Sequence, residues 1–224
     1  MAHKLAYLGL LLILLSGCSR EFPPIPWMPA DDGRRLALQE KTDFASRLEL
    51  GRLEFLHNGI DEADRLLTPL VHEQPNNLEA KAWHAANRCK LAERRGPWML
   101  GLDKVVLLWS CLTELERAGH HAGDNLSVAL AQIYTDTEVS VFGTRHRAYQ
   151  ARDRLQQRLE AKPQSYAPAD QASFYEAVAA LEARYDNATG ARDYLSRVIA
   201  LNADADSVER ARQKLRALEA DAGR

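Results

Sequence analysis

The spacing of apolar and polar positions changes character several times along this chain. Residues 5–15, Leu-Ala-Tyr-Leu-Gly-Leu-Leu-Leu-Ile-Leu-Leu, form an unbroken apolar run behind Met1-Ala2-His3-Lys4. A basic start, a short apolar core and the small residues Ser16 and Gly17 describe a secretory signal. The run is too short to cross a bilayer, which takes ~20 apolar residues. Next comes Phe22-Pro23-Pro24-Ile25-Pro26-Trp27-Met28-Pro29, where repeated proline forbids helix. Residues 20–33 therefore read as a semi-rigid polyproline tether, advancing about 3.1 Å per residue. Its apolar side chains pack on the first helices, lie near lipid headgroups or offer a strip to a partner. Helical periodicity begins near Asp31 and continues toward the C-terminus.

One spacing returns within the helical region. Gly51 is followed twelve residues later by Ala63, then by Leu67, Leu70 and Pro75, with Asn58-Gly59 between two helical stretches. Gly59 is expected to take the left-handed conformation that ends the first helix. Pro75 should end the second, and Pro69 should kink it. The pattern recurs as Ala179, Asp186-Asn187-Ala188-Thr189-Gly190, Ala191, Leu195 and Val198. A weaker copy has Ala151, Leu155 and Pro163, each 88 residues after Ala63, Leu67 and Pro75. Its first helix is expected over about 124–139. Between these copies, residues 78–94 read as helix and Gly96-Pro97-Trp98-Met99-Leu100-Gly101 as a break. The helix from Leu102 to Arg117 carries Val105-Val106-Leu107-Leu108-Trp109 and is expected to be buried on several sides. A polar last helix, 207–219, would start at Ser207 as N-cap.

This pattern resembles the tetratricopeptide repeat (TPR), a 34-residue helix–turn–helix unit. The resemblance implies an all-α fold, a TPR-like α-solenoid of antiparallel helix pairs with a C-terminal capping helix, over residues 34–224. Its clear repeats are 44–77 and 172–205, and its degenerate pairs are 78–120 and 124–165. Small residues at Gly51 and Ala63 would let two helices approach closely. Glu54 departs from the family, which usually has tyrosine there. First helices line the concave face of such arrays. Carrying those positions across gives a protein-binding groove of Leu48, Arg52, Phe55, Leu56, Glu79, Ala86, Lys90, Ser173, Glu176, Ala180 and Arg184. That mixed face suits a partner's peptide or helix.

Leu15-Ser16-Gly17-Cys18 resembles a bacterial lipobox. The resemblance implies a signal peptide over 1–17, cleavage before Cys18 and lipid on its thiol, with residues 18–33 as lipidated tether. Ser19 implies transfer to the periplasmic face of the outer membrane. An ordinary signal peptide with a chance cysteine is the plainer alternative. Three acyl chains, at about 0.8 kcal/mol per buried CH₂, make a permanent anchor. Removing residues 1–17 also removes Lys4 and leaves 207 residues, 28 basic against 31 acidic, a net charge of −3. That balance offers nucleic acid no electrostatic attraction.

The sequence carries no phosphate-binding glycine loop, no His-Glu-x-x-His and no nucleophile elbow, so no catalytic residue and no enzymatic activity is expected. His120-His121 with Asp124 lack a third and fourth ligand, so no metal is expected either. The covalent lipid on Cys18 is the one non-protein group. His57 and His72 lie near helix ends, where a dipole contact is ordinary. Cys89 and Cys111 flank residue 100, the midpoint of a predicted hairpin, and fall at similar height on its two helices. They form a disulfide if both face the seam; two buried free thiols are the alternative.

The combined resemblances imply a membrane-anchored periplasmic scaffold or adaptor that binds an envelope protein or peptide in secretion, pilus or outer-membrane assembly. The alternative is a small-molecule carrier like the lipoproteins associated with TRAP transporters, with Trp83, Trp98, Trp109 and Phe142 lining its cavity.

Overall fold

A computed structural model describes residues 25–94, 102–122, 124–139, 141 and 143–222. The apolar run, Cys18 and its flanks, the break at 96–101 and Phe142 lie outside the described residues. Those described form ten α-helices and one 3₁₀ turn, with no strand among them. The helices are α1 (Pro29–Gln39), α2 (Phe44–Leu56), α3 (Ile60–Glu73), α4 (Leu78–Arg94), α5 (Leu102–Ala122), α6 (Leu126–Glu138), α7 (Thr144–Ala161), α8 (Pro168–Arg184), α9 (Ala188–Leu201) and α10 (Ala205–Ala222). The fold is all-α. Residues 29–33, read as tether, are the first turn of α1, where Pro29 needs no backbone donor.

Short polar side chains decide where helices begin. Asp43 accepts from the Ser46 amide at 3.0 Å, Asn77 from Ala80 at 3.0 Å, and Asn125 from Val128 at 3.2 Å. Asn187 does the same for Gly190 at 3.1 Å. Each satisfies an amide that the first turn leaves open. At α10 the cap is Asp204, which accepts from the Ser207 amide at 2.7 Å. Ser207 was expected to be the cap; it is buried instead, and its hydroxyl donates to the Asp204 carboxylate. The helix begins at Ala205, so the capping position falls on Asp204 and Ser207 lies inside the first turn.

Four helix pairs, α2–α3, α4–α5, α6–α7 and α8–α9, pack in chain order. The first helix of each pair lies against the first helix of the next, and each second helix also touches the following first helix. The pairs close through small residues. A Cβ on Gly51 would stand 2.6 Å from Leu67 Cδ2. Ala63, Leu67 and Leu70 are fully buried, and so are Ala191 and Val198 at the same stations of α9. Pro69 lies inside α3 on its exposed side.

The turn chemistry differs from expectation. Asn58, not Gly59, takes the left-handed conformation (φ 64°), and Asp186 does so in the later copy (φ 61°). Gly59 is needed for space, because a Cβ there would meet the Glu54 carboxylate at 2.4 Å. Asn and Asp tolerate positive φ through local hydrogen bonding.

Helix α5 is also less covered than its composition predicts. Leu108, Cys111, Leu112 and Leu115 are buried against neighbours, while Leu102, Val105, Val106 and Trp109 are exposed. Among the described helices, α4 and α6 are the main neighbours of α5. Cys89 and Cys111 are joined as a disulfide across the α4–α5 seam, with Cα atoms 5.6 Å apart.

The first and last described helices meet. No side chain of α1's own caps its N-terminus; the Ala30 amide donates instead to Asp206 of α10 at 2.9 Å. Asp31 pairs with Arg210 of α10 at 3.1 Å. Trp27 stacks on His57 with ring centroids 3.8 Å apart and packs with Leu38, Leu50, Leu53 and Leu66.

Two outcomes test this packing. Ala63→Leu and Ala191→Leu should each lower stability by about 1–3 kcal/mol through overpacking, read as a drop in thermal midpoint. The disulfide closes a loop between cysteines 22 residues apart, which is worth about 3 kcal/mol by loop entropy. Melting with and without reductant should show that loss, and a Cys89→Ala/Cys111→Ala chain should melt at the reduced value under both conditions.

Candidate functional site

The first helices form one continuous layer, and the side chains along it carry most of the predicted groove. Arg52 of α2 is half-buried and held by Glu49 through two hydrogen bonds of 2.8 and 2.6 Å. Phe55 is buried, meeting Trp83 edge-on at 5.4 Å, with the Lys90 ammonium 4.1 Å from its ring centre. Lys90 of α4 also donates to the Phe55 carbonyl at 3.2 Å and pairs with Glu138 of α6 at 3.4 Å. Glu176 of α8 is buried and pairs with Arg210 at 3.3 Å and Lys214 at 3.9 Å. Leu56 is half-buried against the main core. The Ser173 hydroxyl donates to the Ala169 carbonyl within its own helix.

Two predicted residues lie at the ends of these first helices. Glu79, in the first turn of α4, accepts from Asn125 at 2.6 Å. Arg184 lies in the last turn of α8. Four residues of this environment escaped sequence reading: Tyr134, Glu138, Arg210 and Lys214. The sequence of α10 reads as a polar capping helix, and no local spacing links Arg210 to Glu176 or to Asp31.

Burial shapes the electrostatics of the row. Desolvation raises Tyr134, and Glu176 adds to the rise. It raises Glu138 against the pull of Lys90, and it lowers the Lys214 ammonium against Glu176. Burial opposes the charge on Arg52, but Glu49 more than compensates. The charges of this face are thus largely committed to one another.

The more accessible polar surface is a cluster of tyrosines and arginines on α7, α8 and α9. Arg145 lies 4.5 Å from the ring centre of Tyr185 and 5.9 Å from that of Tyr149. Arg152 covers Tyr149 at 4.5 Å and pairs with Glu182. Arg197 covers Tyr194 at 5.0 Å. The Tyr194 hydroxyl bonds Gln156 at 2.6 Å, and both line a cleft of about 340 Å³ with Arg152 and Glu160.

His57, His120 and His121 have structural partners within the fold. Burial lowers His57, whose Nδ1 is 2.8 Å from the Ile25 carbonyl oxygen. His120 and His121 are exposed, and Asp124 pairs with Arg158. Among the described residues no group of His, Cys, Asp and Glu is arranged to hold a metal. Of the four aromatic residues offered as a cavity lining, Trp83 is buried and Trp109 exposed; Trp98 and Phe142 are outside the described residues. Comparison with protein-family models, curated proteins and solved structures finds no match.

The sharpest electrostatic feature is Asp136 of α6. Its side chain is 1% exposed and is gripped by Arg147 at 2.9 and 3.2 Å. Burial nevertheless outweighs the guanidinium and pushes the carboxyl from 3.8 up to about 6. A carboxyl raised in the folded state favours folding fully below about pH 4, and that contribution is lost as pH rises through 6. Asp136→Asn mimics the protonated form. Relative to this variant, the wild type should lose about 3 kcal/mol between pH 4 and 6 and then level off, measured by denaturant melts across that range.

Proposed function

We propose that this chain is a lipid-anchored adaptor of the bacterial envelope, a TPR-like stack of helix pairs that holds a partner protein at the periplasmic face of the outer membrane. The observation that carries the reading is the repeated construction of α2–α3 and α8–α9. Gly51, Ala63 and Leu67 of the first pair answer to Ala179, Ala191 and Leu195 of the second, 128 residues later. In both turns the residue before the second helix donates its amide to a glutamate carbonyl, Gly59 to Glu54 at 2.7 Å and Asn187 to Glu182 at 2.9 Å. Stacking such units makes extended surface rather than an enclosed reaction chamber.

The partner's place is best sought on α7–α9. The groove positions Lys90 and Glu176 are buried and ion-paired, so binding there would first have to break those pairs. Arg145 and Arg197 are exposed over tyrosine rings. Tyrosine and arginine are the residue types that dominate binding energy in interfaces. Their charge favours an acidic or carboxylate-rich segment of the partner.

Two measurements decide this. Cys18→Ala should lose its acyl chains and leave the membrane fraction; an unlipidated wild type, or a variant still held by membranes, removes the anchor. Cross-linked capture from solubilised envelopes should yield one stoichiometric protein with the wild type. Arg145→Glu/Arg197→Glu should lose it at unchanged melting temperature, and equal capture by both chains removes the α7–α9 surface.

A further inference from the structure

Apart from Leu36 on α1, the exposed large apolar side chains among the described residues are gathered at one end of the molecule, the end where the N-terminal segment arrives. Ile25 is fixed there by its carbonyl against His57, the residue that closes α2. The C-terminal end of α4 lies beside that point: Asn87 bonds the Ile60 carbonyl, Lys90 the Phe55 carbonyl, and Arg94 pairs with Asp61. Helix α5 starts at the same end, since Lys104 donates to the Glu93 carbonyl. The end of α6 joins them, with Glu138 on Lys90 and Val139 packed among Cys89, Leu108 and Cys111. This end exposes Leu102 (60%), Val106 (66%), Trp109 (61%), Val105 and Val141.

The apolar stripe has a depth. Leu102, Val105, Val106 and Trp109 recur at helical spacing on one face of α5. From Leu102 to Trp109 the helix rises about 10 Å. Beyond Trp109 that face turns polar, through Thr113, Glu116 and His120. An interfacial segment buries about 5–10 Å of itself among headgroups, and tryptophan concentrates at the upper edge of such a zone. Chain length sets the reach: Cys18 is seven residues before Ile25, a span of at most about 25 Å.

We propose that the N-terminal half of α5 and Val141 dip into the headgroup layer of the anchoring bilayer, so that lipid and protein grip the membrane at two points. The inference rests on the anchored reading above. The tip fixes how the helix pairs stand: this end faces the membrane, and the opposite ends of the pairs face the periplasm.

The test uses the full chain carrying its N-terminal lipid, returned to vesicles of phosphatidylethanolamine and phosphatidylglycerol with brominated acyl chains. The emission of Trp109 is obtained as the difference between wild type and Trp109→Phe. Brominated lipid should quench this component, as expected for an indole at headgroup depth, while iodide in the water leaves it little changed. Val106→Asp, at an exposed position, should reverse both effects with the chain still bound to vesicles. A vesicle-bound chain whose Trp109 is quenched by iodide and not by bromine keeps its anchor and overturns the tip. Quenching by neither places a protein surface on the stripe, a partner or a second copy, and also overturns it. A chain that carries no lipid and leaves the vesicles overturns the anchor and the tip together.

Discussion

Neighbouring helices are held in place by carboxylates that cannot stay buried alone. Glu54 at the end of α2 is 2% exposed and takes Arg35 from α1 at 2.6 Å. Glu182 at the end of α8 is 3% exposed and takes Arg152 from α7 at 2.6 Å, with Tyr149 and Asn187 as further donors. Asp136 near the end of α6 takes Arg147 from α7. An unpaired carboxylate at such sites would cost several kcal/mol. Each therefore demands its arginine, and the arginine dictates how a neighbouring helix sits.

The same constraint explains the turn sequences. Glu54 fills the volume over the first turn, so glycine at position 59 leaves its carboxylate undisturbed where a Cβ would push it aside. Glu182 occupies the matching place in the second copy, where Asn187 donates its side-chain amide to it at 2.7 Å. One site yields room and the other supplies a hydrogen bond. With position 59 or 187 committed to the glutamate, the left-handed residue moves one place earlier, onto Asn58 and Asp186.

Local features were legible in the sequence, and long-range ones were not. The small residues at 51, 63, 179 and 191 and the turn residues Asn58-Gly59 and Asp186-Asn187 announced the pairs and their turns, because packing distance and turn geometry act within a turn or two. The Glu54–Glu182 correspondence is visible at the same 128-residue offset as the alanines, but it was masked by the expectation of tyrosine there. The exposure of Val106 and Trp109 depends on how many neighbours α5 has, which composition does not record. Pairing of Lys90 with Glu138, or of Arg210 with Asp31, joins residues that no helical period relates.

Contact between the two termini of the described chain alters the way the molecule comes apart. A linear array of repeats has free edges, and its outer units open first while inner ones persist. Here α10 supplies the acceptor for the first turn of α1 and an arginine for Asp31, and α1 covers the edge of α2. Loosening either terminus removes a support from the other. The two edges are therefore coupled, and exchange or cleavage at one terminus should rise when the other is loosened.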